Sequence, residues 1–146
     1  MILRPYQLAA SDAIFKEWQE HDATLVVMPT GGGKTVLFAD VIRRVFPRRA
    51  LVLAHREELI FQARDKIERV TGLKASVEMG EYGAEGGLFA MARVVVSTIQ
   101  TQCSGGDGGG RMTKFDPSQF GLLIIDEAHH ATSPTYRRVI DYYRTN

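Results

Sequence analysis

The chain has 146 residues, enough for one domain with its own core and too few for two. Apolar residues make up 45% and charged residues 24%, which excludes disorder as the dominant state. Lys and Arg number 18 against 17 Asp and Glu, so the net charge of +1 gives no global attraction to nucleic acid, and any basic surface has to be local.

Short apolar runs alternate with amphipathic stretches along the chain. Pro5 fits the first turn of a helix, where a missing N–H costs nothing, and Leu8, Ser11, Phe15 and Trp18 follow at helical spacing. Residues 25–28 form a strand-like run closed by Pro29. From Lys34 onward, Leu37, Val41, Ile42 and Val45 give a helical face that Pro47 stops. Residues 50–54 read as a strand and 57–70 as a helix, with Gly72 as its cap. Residues 75–78 are a weaker strand, 80–87 a loop, 88–91 a single helical turn and 94–97 a strand. Five of the seven residues in 104–110 are glycine, which marks a surface loop. Residues 122–126 complete the strands, and 135–143 begin a last helix.

Several strands are apolar throughout, with Val and Ile prominent. That pattern fits an α/β fold, a mostly parallel sheet with helices on both faces, and the opening order fits a right-handed βαβ unit. The expected core is 25–28, 51–54, 94–96 and 122–125. Cys103 is the sole cysteine, so neither an intrachain disulfide nor a multi-cysteine metal site can form, and a reducing compartment is expected. The opening MILRPYQLAA lacks the apolar run of a targeting segment, and no apolar stretch approaches the roughly 20 residues of a spanning helix. The expectation is a soluble, cytoplasmic protein with no membrane partner.

The sharpest local signal is Met28-Pro29-Thr30-Gly31-Gly32-Gly33-Lys34-Thr35, between a predicted strand and a predicted helix. It resembles the Walker A phosphate loop, with Met28-Pro29 where the general pattern begins on Gly. Gly31, Gly32 and Gly33 let the backbone curl so that several N–H groups point inward. The following helix adds its positive end. Lys34 is placed to reach the β- and γ-phosphates, and the Thr35 hydroxyl to ligate Mg²⁺. The glycines of 104–110 lack both the Lys-Thr pair and a following amphipathic helix, so they read as a plain loop.

In residues 122–127 four apolar positions run into Asp126 and Glu127. Alone, such a strand could be a solvated edge. Beside a phosphate loop it is the Walker B arrangement, with Asp126 holding Mg²⁺ and Glu127 polarising the attacking water. The catalytic candidates are therefore Lys34, Asp126 and Glu127, and the metal candidates Thr35 and Asp126. His129 and His130 lack the spacing of a zinc site.

Asp126-Glu127-Ala128-His129, together with Pro29 to Thr35, resembles the superfamily 2 helicases. The second histidine brings the chain nearest the branch of the type III restriction motor subunits and the DNA-repair helicases. The resemblance covers essentially the whole chain and implies a P-loop, RecA-like fold that binds ATP with Mg²⁺. Leu3-Arg4-Pro5-Tyr6-Gln7 resembles the family's opening motif, which implies that Gln7 reads the adenine edge and Arg4 lies beside the base. The nucleotide-binding set is then Arg4, Gln7, Thr30, Gly31, Gly32, Gly33, Lys34 and Thr35. Residues 51–59 resemble a motif that meets the nucleic-acid backbone, carried by His55 and Arg56. Residues 95–101 resemble another, carried by Thr98 and Gln100. Contacts from Arg56, Thr98 and Gln100 to phosphates need little net charge.

In the family a short Ser/Thr-Ala-Thr motif and a second RecA-like domain follow, and this sequence stops at Asn146 before either. The resemblance therefore implies that residues 1–146 are the first RecA-like domain, C-terminally truncated, with the second domain as partner in the full-length chain. The implied function is an ATP-dependent DNA helicase or translocase, with nucleic acid, DNA above all, as partner. A duplex DNA translocase of a restriction or remodelling enzyme is the nearest alternative. A P-loop switch protein without nucleic acid is a third, against which Gln7, Arg56, Gln100 and 126–129 speak together.

Overall fold

A strand in a parallel sheet covered on both sides sends alternate side chains into two cores, so it must be apolar throughout. The computed structural model, which describes residues 3–28, 33–79, 92–103, 112, 115–128 and 132–144, shows this in its central strands. In β1 (Arg49–Ala54), Ala50, Val52 and Ala54 enter one core, while Leu51 and Leu53 enter the other. In β3 (Val94–Thr98), Val94 and Val96 share the first core and Val95 the second. With β2 (Ala75–Glu78) and β4 (Phe120–Ile125), they form a parallel sheet in the order β2-β3-β1-β4. Leu51 pairs with Val95 on one side and Leu123 on the other, so the register stacks like residues in one layer.

Helices cover each face. On the first lie α1 (Pro5–Glu17), α2 (Lys34–Val45) and α3 (Ile60–Thr71), which contribute Ile14, Leu37, Val41, Ile42, Ile60 and Ile67. On the second lie α4 (Ile99–Cys103) and α5 (Pro134–Arg144), with Ile99, Tyr136, Val139 and Tyr143. Helix α2 begins directly after Gly33, whose φ of +79° is a left-handed conformation that glycine takes without steric cost. It ends before Phe46–Pro47, as the proline predicts. A 3-10 turn at Glu57–Leu59 leads into α3, and Gly72 at φ +71° caps it through an N–H bond to Glu68 O at 2.9 Å. Leu53 is fully buried in the core under α5. Leu53→Ala is expected to lower the unfolding free energy by about 2–5 kcal/mol, read from the shift of a urea transition.

Several expectations are corrected. Residues 25–28 form no strand, and of the expected core only Met28 packs, partly buried, against the first cluster, while Leu25 is 72% exposed and Val27 86%. Apolar, β-prone residues become a strand only when a neighbour completes the ladder and another layer covers the outer face. Here the segment lines an open cleft opposite β4, so the expected opening βαβ unit lacks its first strand. For the same reason only Leu122 of 122–125 is buried, while Leu123, Ile124 and Ile125 stay partly open on the cleft side. Leu8 is exposed, Ser11 is buried as its place in the spacing suggests, and Gln7 and Ile14 join it on the buried face of α1. The short helix α4 had no apolar period to announce it. The readings of 80–87, 88–91 and 104–110 lie outside the described residues. No described helix is long and apolar enough to cross a membrane.

Candidate functional site

Strand β4 ends where its chemistry begins. The Asp126 N–H donates to Leu53 O at 2.9 Å, which ties the residue after the strand to the neighbouring β1. Helix α2 enters from the first face and brings Lys34 across. Lys34 Nζ donates to Asp126 Oδ1 at 2.9 Å and stands 3.8 Å from Glu127 Oε1. Three residues picked from two distant motifs thus meet in one cluster. The hydrogen bond to Asp126 raises the Lys34 pKa above its ordinary value; partial burial opposes this, and the charges of Asp126 and Glu127 add to it. The cluster stays open to water, with the Lys34 side chain 45% exposed. An ion pair in such a setting is worth about 1 kcal/mol at most, so a stronger anion can displace it.

Glu127 has φ +58°, the only positive value at a non-glycine among the described residues. A side chain in that region stores strain of about 1–3 kcal/mol, which persists only where the surroundings fix it. Here Asp126 is held to β1, and the Glu127 N–H donates to Asp126 Oδ1 at 2.9 Å. The twist turns the Glu127 side chain toward Lys34 at the end of a cleft of about 460 Å³, lined by residues 24–28, β4 and α2.

At the other side of the loop, Gln7 is buried, and its Oε1 accepts the Arg4 N–H at 2.9 Å. Its amide nitrogen lies so close to Gly33 that a Cβ there would collide with it. Gln7, Gly33 and Lys34 are therefore brought together, with Arg4 exposed at the head of α1 and its guanidinium near the Tyr6 hydroxyl. Thr35 lies in the first turn of α2. Thr30, Gly31 and Gly32 of the predicted loop lie outside the described residues, as do Pro29, His129 and His130. A hydroxyl from Thr35 and a carboxylate from Asp126 are hard oxygen donors, the set that Mg²⁺ takes. Asp126 Oδ1 is engaged by Lys34 and the Glu127 N–H, while Oδ2 has no hydrogen bond among the described residues. The residues present fit the ion.

The predicted nucleic-acid rim is brought together only in part. Ala54 of β1 pairs with Thr98 of β3, so Arg56 and Gln100 stand two residues past the same rung, both exposed, at the carboxyl edge of the sheet. Thr98 does not belong with them. It is fully buried; its hydroxyl donates to Thr101 Oγ1 at 2.8 Å and accepts the Thr101 N–H at 3.1 Å. A β-strand turning directly into a helix needs a side-chain acceptor at that point, and Thr98 supplies it. His55 is held from behind, its Nδ1 3.3 Å from the Tyr136 hydroxyl. Burial pushes the Tyr136 hydroxyl pKa up, and the Glu127 and Asp126 charges add to it. Sequence reasoning missed Tyr136 because it reads as one more apolar position of α5. It also missed the polar contact of Ser11 with Asp40, because Asp40 looks like an ordinary solvated position.

The whole chain, residues 1–146, matches the family described as type III restriction enzyme, res subunit. A Saccharomyces cerevisiae protein named "Putative ATP-dependent helicase IRC3" is 33% identical over 99% of this chain and 21% of its own length. The DNA 3'-5' helicase XPB of Kineococcus radiotolerans is 30% identical over 95% of this chain and 24% of its own. The chain thus spans between a fifth and a quarter of these relatives. Among solved structures, the UvsW helicase from Bacteriophage T4 superposes with a TM-score of 0.68 at 21% identity, over 98% of this chain and 49% of that one. The Type ISP restriction-modification enzyme LlaGI, solved with a DNA substrate mimic, gives 0.69 at 18% identity, over 95% and 16%. At those identities the likeness is one of fold, a RecA-like α/β domain.

Proposed function

The chain belongs to the type III restriction enzyme res subunit family, and from that premise we propose that it is the nucleotide-binding part of an ATP-driven DNA helicase or translocase. The observation that carries this is the meeting of Lys34, at the head of α2, with Asp126 and Glu127, at the end of β4. In the resting state Lys34 and Asp126 neutralise each other. The triphosphate of ATP competes for Lys34 and frees Asp126, which together with Thr35 would hold Mg²⁺. Mg²⁺ bound there would neutralise charge on the β- and γ-phosphates. Glu127 orients the attacking water and accepts its proton, which requires an approach of about 3 Å. Gln7 reads the adenine edge from its place against Gly33, with Arg4 beside the base, and Thr30, Gly31 and Gly32 line the phosphates.

Residues 1–146 act in this reading as the first RecA-like unit of a longer, cytoplasmic protein. A second RecA-like domain of the intact protein supplies the arginines that stabilise the transferring phosphoryl group. Arg56 and Gln100 hold the sugar-phosphate backbone, since a motor that moves along any sequence cannot depend on base edges. The reading is tested by ATP hydrolysis of the intact protein with and without DNA over a range of salt. DNA is expected to stimulate turnover, and Arg56→Ala to flatten the salt dependence of DNA affinity by roughly one unit of slope. Unchanged turnover on adding DNA or RNA would instead favour a nucleotide switch acting on proteins.

A further inference from the structure

Asp40 of α2 is 2% exposed, a carboxylate set inside a helix–helix contact. A charge buried so deeply is costly unless it is fully paired, so its partners explain its presence. Ser11 of α1 donates its hydroxyl to Asp40 Oδ2 at 2.7 Å. Arg43 Nη2 meets Oδ1 at 2.7 Å, and Arg44 Nε meets Oδ2 at 3.0 Å. Burial pushes the carboxyl pKa up, but the bonds from Arg43 and Ser11 and the two arginine charges outweigh it, and the group sits below its ordinary range. Arg44 then continues across to α1. Its Nη1 reaches Asp12 Oδ1 at 2.8 Å, and its guanidinium stands 5.5 Å from the centre of the Phe15 ring. One buried carboxylate therefore organises the polar bonds that fasten α1 to α2.

The fastened face is the one that carries the nucleotide end. Gln7 and Ser11 are four residues apart, hence one above the other on α1, and both are buried. Gln7 touches Gly33, the residue directly before Lys34. Apolar residues would also hold two helices together, but they let them slide. Directional bonds to a charge fix the register. A slip of α1 along α2 would move Gln7 against Gly33 while leaving Lys34, Asp126 and Glu127 where they are.

We propose that Asp40 is a positioning residue for nucleotide-base selectivity. By gripping Ser11 it sets where Gln7 stands relative to the phosphate loop, so that base and triphosphate are engaged in one register. The proposal rests on the reading of Gln7 as the adenine-recognition residue. A displacement of about 1 Å in such an arrangement can cost on the order of a hundredfold.

The test is steady-state hydrolysis of ATP and GTP by the intact protein and its Ser11→Ala, Asp40→Asn and Gln7→Ala variants. Ser11→Ala removes the one direct bond from α1 to the Asp40 carboxylate and leaves the arginine pairs of Asp40 and the Arg44–Asp12 link in place, so it serves even if Asp40→Asn fails to fold. Ser11→Ala is expected to raise the KM for ATP and to reduce the ATP-over-GTP ratio of kcat/KM by roughly tenfold, with kcat within about twofold of the parent. A folded Ser11→Ala protein with an unchanged ratio overturns the proposal, and so does one that loses ATP and GTP hydrolysis alike, the mark of a merely structural role. If Gln7→Ala loses the preference for ATP while Ser11→Ala keeps it, the adenine reading stands and only the role of Asp40 falls. If Gln7→Ala keeps the preference, the adenine reading itself fails and takes the proposal with it.

Discussion

Lys34→Ala in the intact protein is expected to weaken ATP binding by about 10–100-fold, the loss of one charge-assisted contact to a phosphate worth about 1.5–3 kcal/mol. Hydrolysis should fall further, by another factor on the order of 100, because the ammonium also meets charge that develops only as the phosphoryl group transfers. Calorimetry with ATP and Mg²⁺ measures the first effect and single-turnover hydrolysis the second. The fold should be almost unaffected. Lys34 is exposed, and its pair with Asp126 contributes about 1 kcal/mol at most. A variant that melts with the parent yet no longer binds nucleotide is the signature. Equal affinity for ATP in both proteins would remove Lys34 from the site.

That signature also separates two meanings of one observed contact. A Lys–Asp pair at 2.9 Å between the head of a helix and the end of a strand could be a brace of the fold. A brace would be buried and unexchanged. This one is open to water, shares Asp126 Oδ1 with the Glu127 N–H, and leaves Oδ2 without a hydrogen bond among the described residues. Under the proposed function such a pair is broken and remade as substrate comes and goes. The ammonium of Lys34 stays charged at neutral pH, because the contact with Asp126 pushes its pKa further above the ordinary value.

The core strands and the acidic pair were legible in the sequence because both depend on local pattern. Residues 50–54 and 94–97 are apolar at every or nearly every position, and only a strand covered on both faces uses such a run fully. Asp126 and Glu127 follow an apolar run directly, so their place at a strand's carboxyl end was fixed with it. Residues 25–28 have the same local pattern and a different outcome, since strand formation is decided by the neighbour and not by the run. Thr98 shows the same limit at a single residue. Its hydroxyl suits a phosphate or a helix cap equally well, and only the turn from β3 into α4 selects the cap. Asp40 was invisible for another reason. A carboxylate on an amphipathic helix reads as solvated unless a partner 29 residues away, Ser11, is known to face it.

Glu127→Gln is expected to separate binding from chemistry more cleanly than any other change at the site. The amide keeps the size and shape of the carboxylate and so leaves Lys34, Asp126 and Thr35 free to engage the triphosphate. It cannot accept a proton from water. Loss of a positioned general base costs on the order of 10²–10⁴ in turnover, so hydrolysis should fall by that factor while ATP affinity stays within about twofold. The backbone supports the choice of glutamine over smaller residues. Glu127 holds φ +58° because its N–H is bonded to Asp126 Oδ1 and Asp126 is bonded to Leu53 O. Glutamine meets the same strain as glutamate there, whereas glycine relieves it by about 1 kcal/mol and frees the turn as well as removing the base. Comparing Glu127→Gln with Glu127→Gly therefore divides the role of the carboxyl group from the role of the turn. If the base carries the chemistry, both variants lose hydrolysis to a similar depth, and the glycine form unfolds at slightly higher denaturant. Turnover by Glu127→Gln near that of the parent protein would show that water is activated elsewhere and that the left-handed turn, not the carboxylate, is what the site requires of this position.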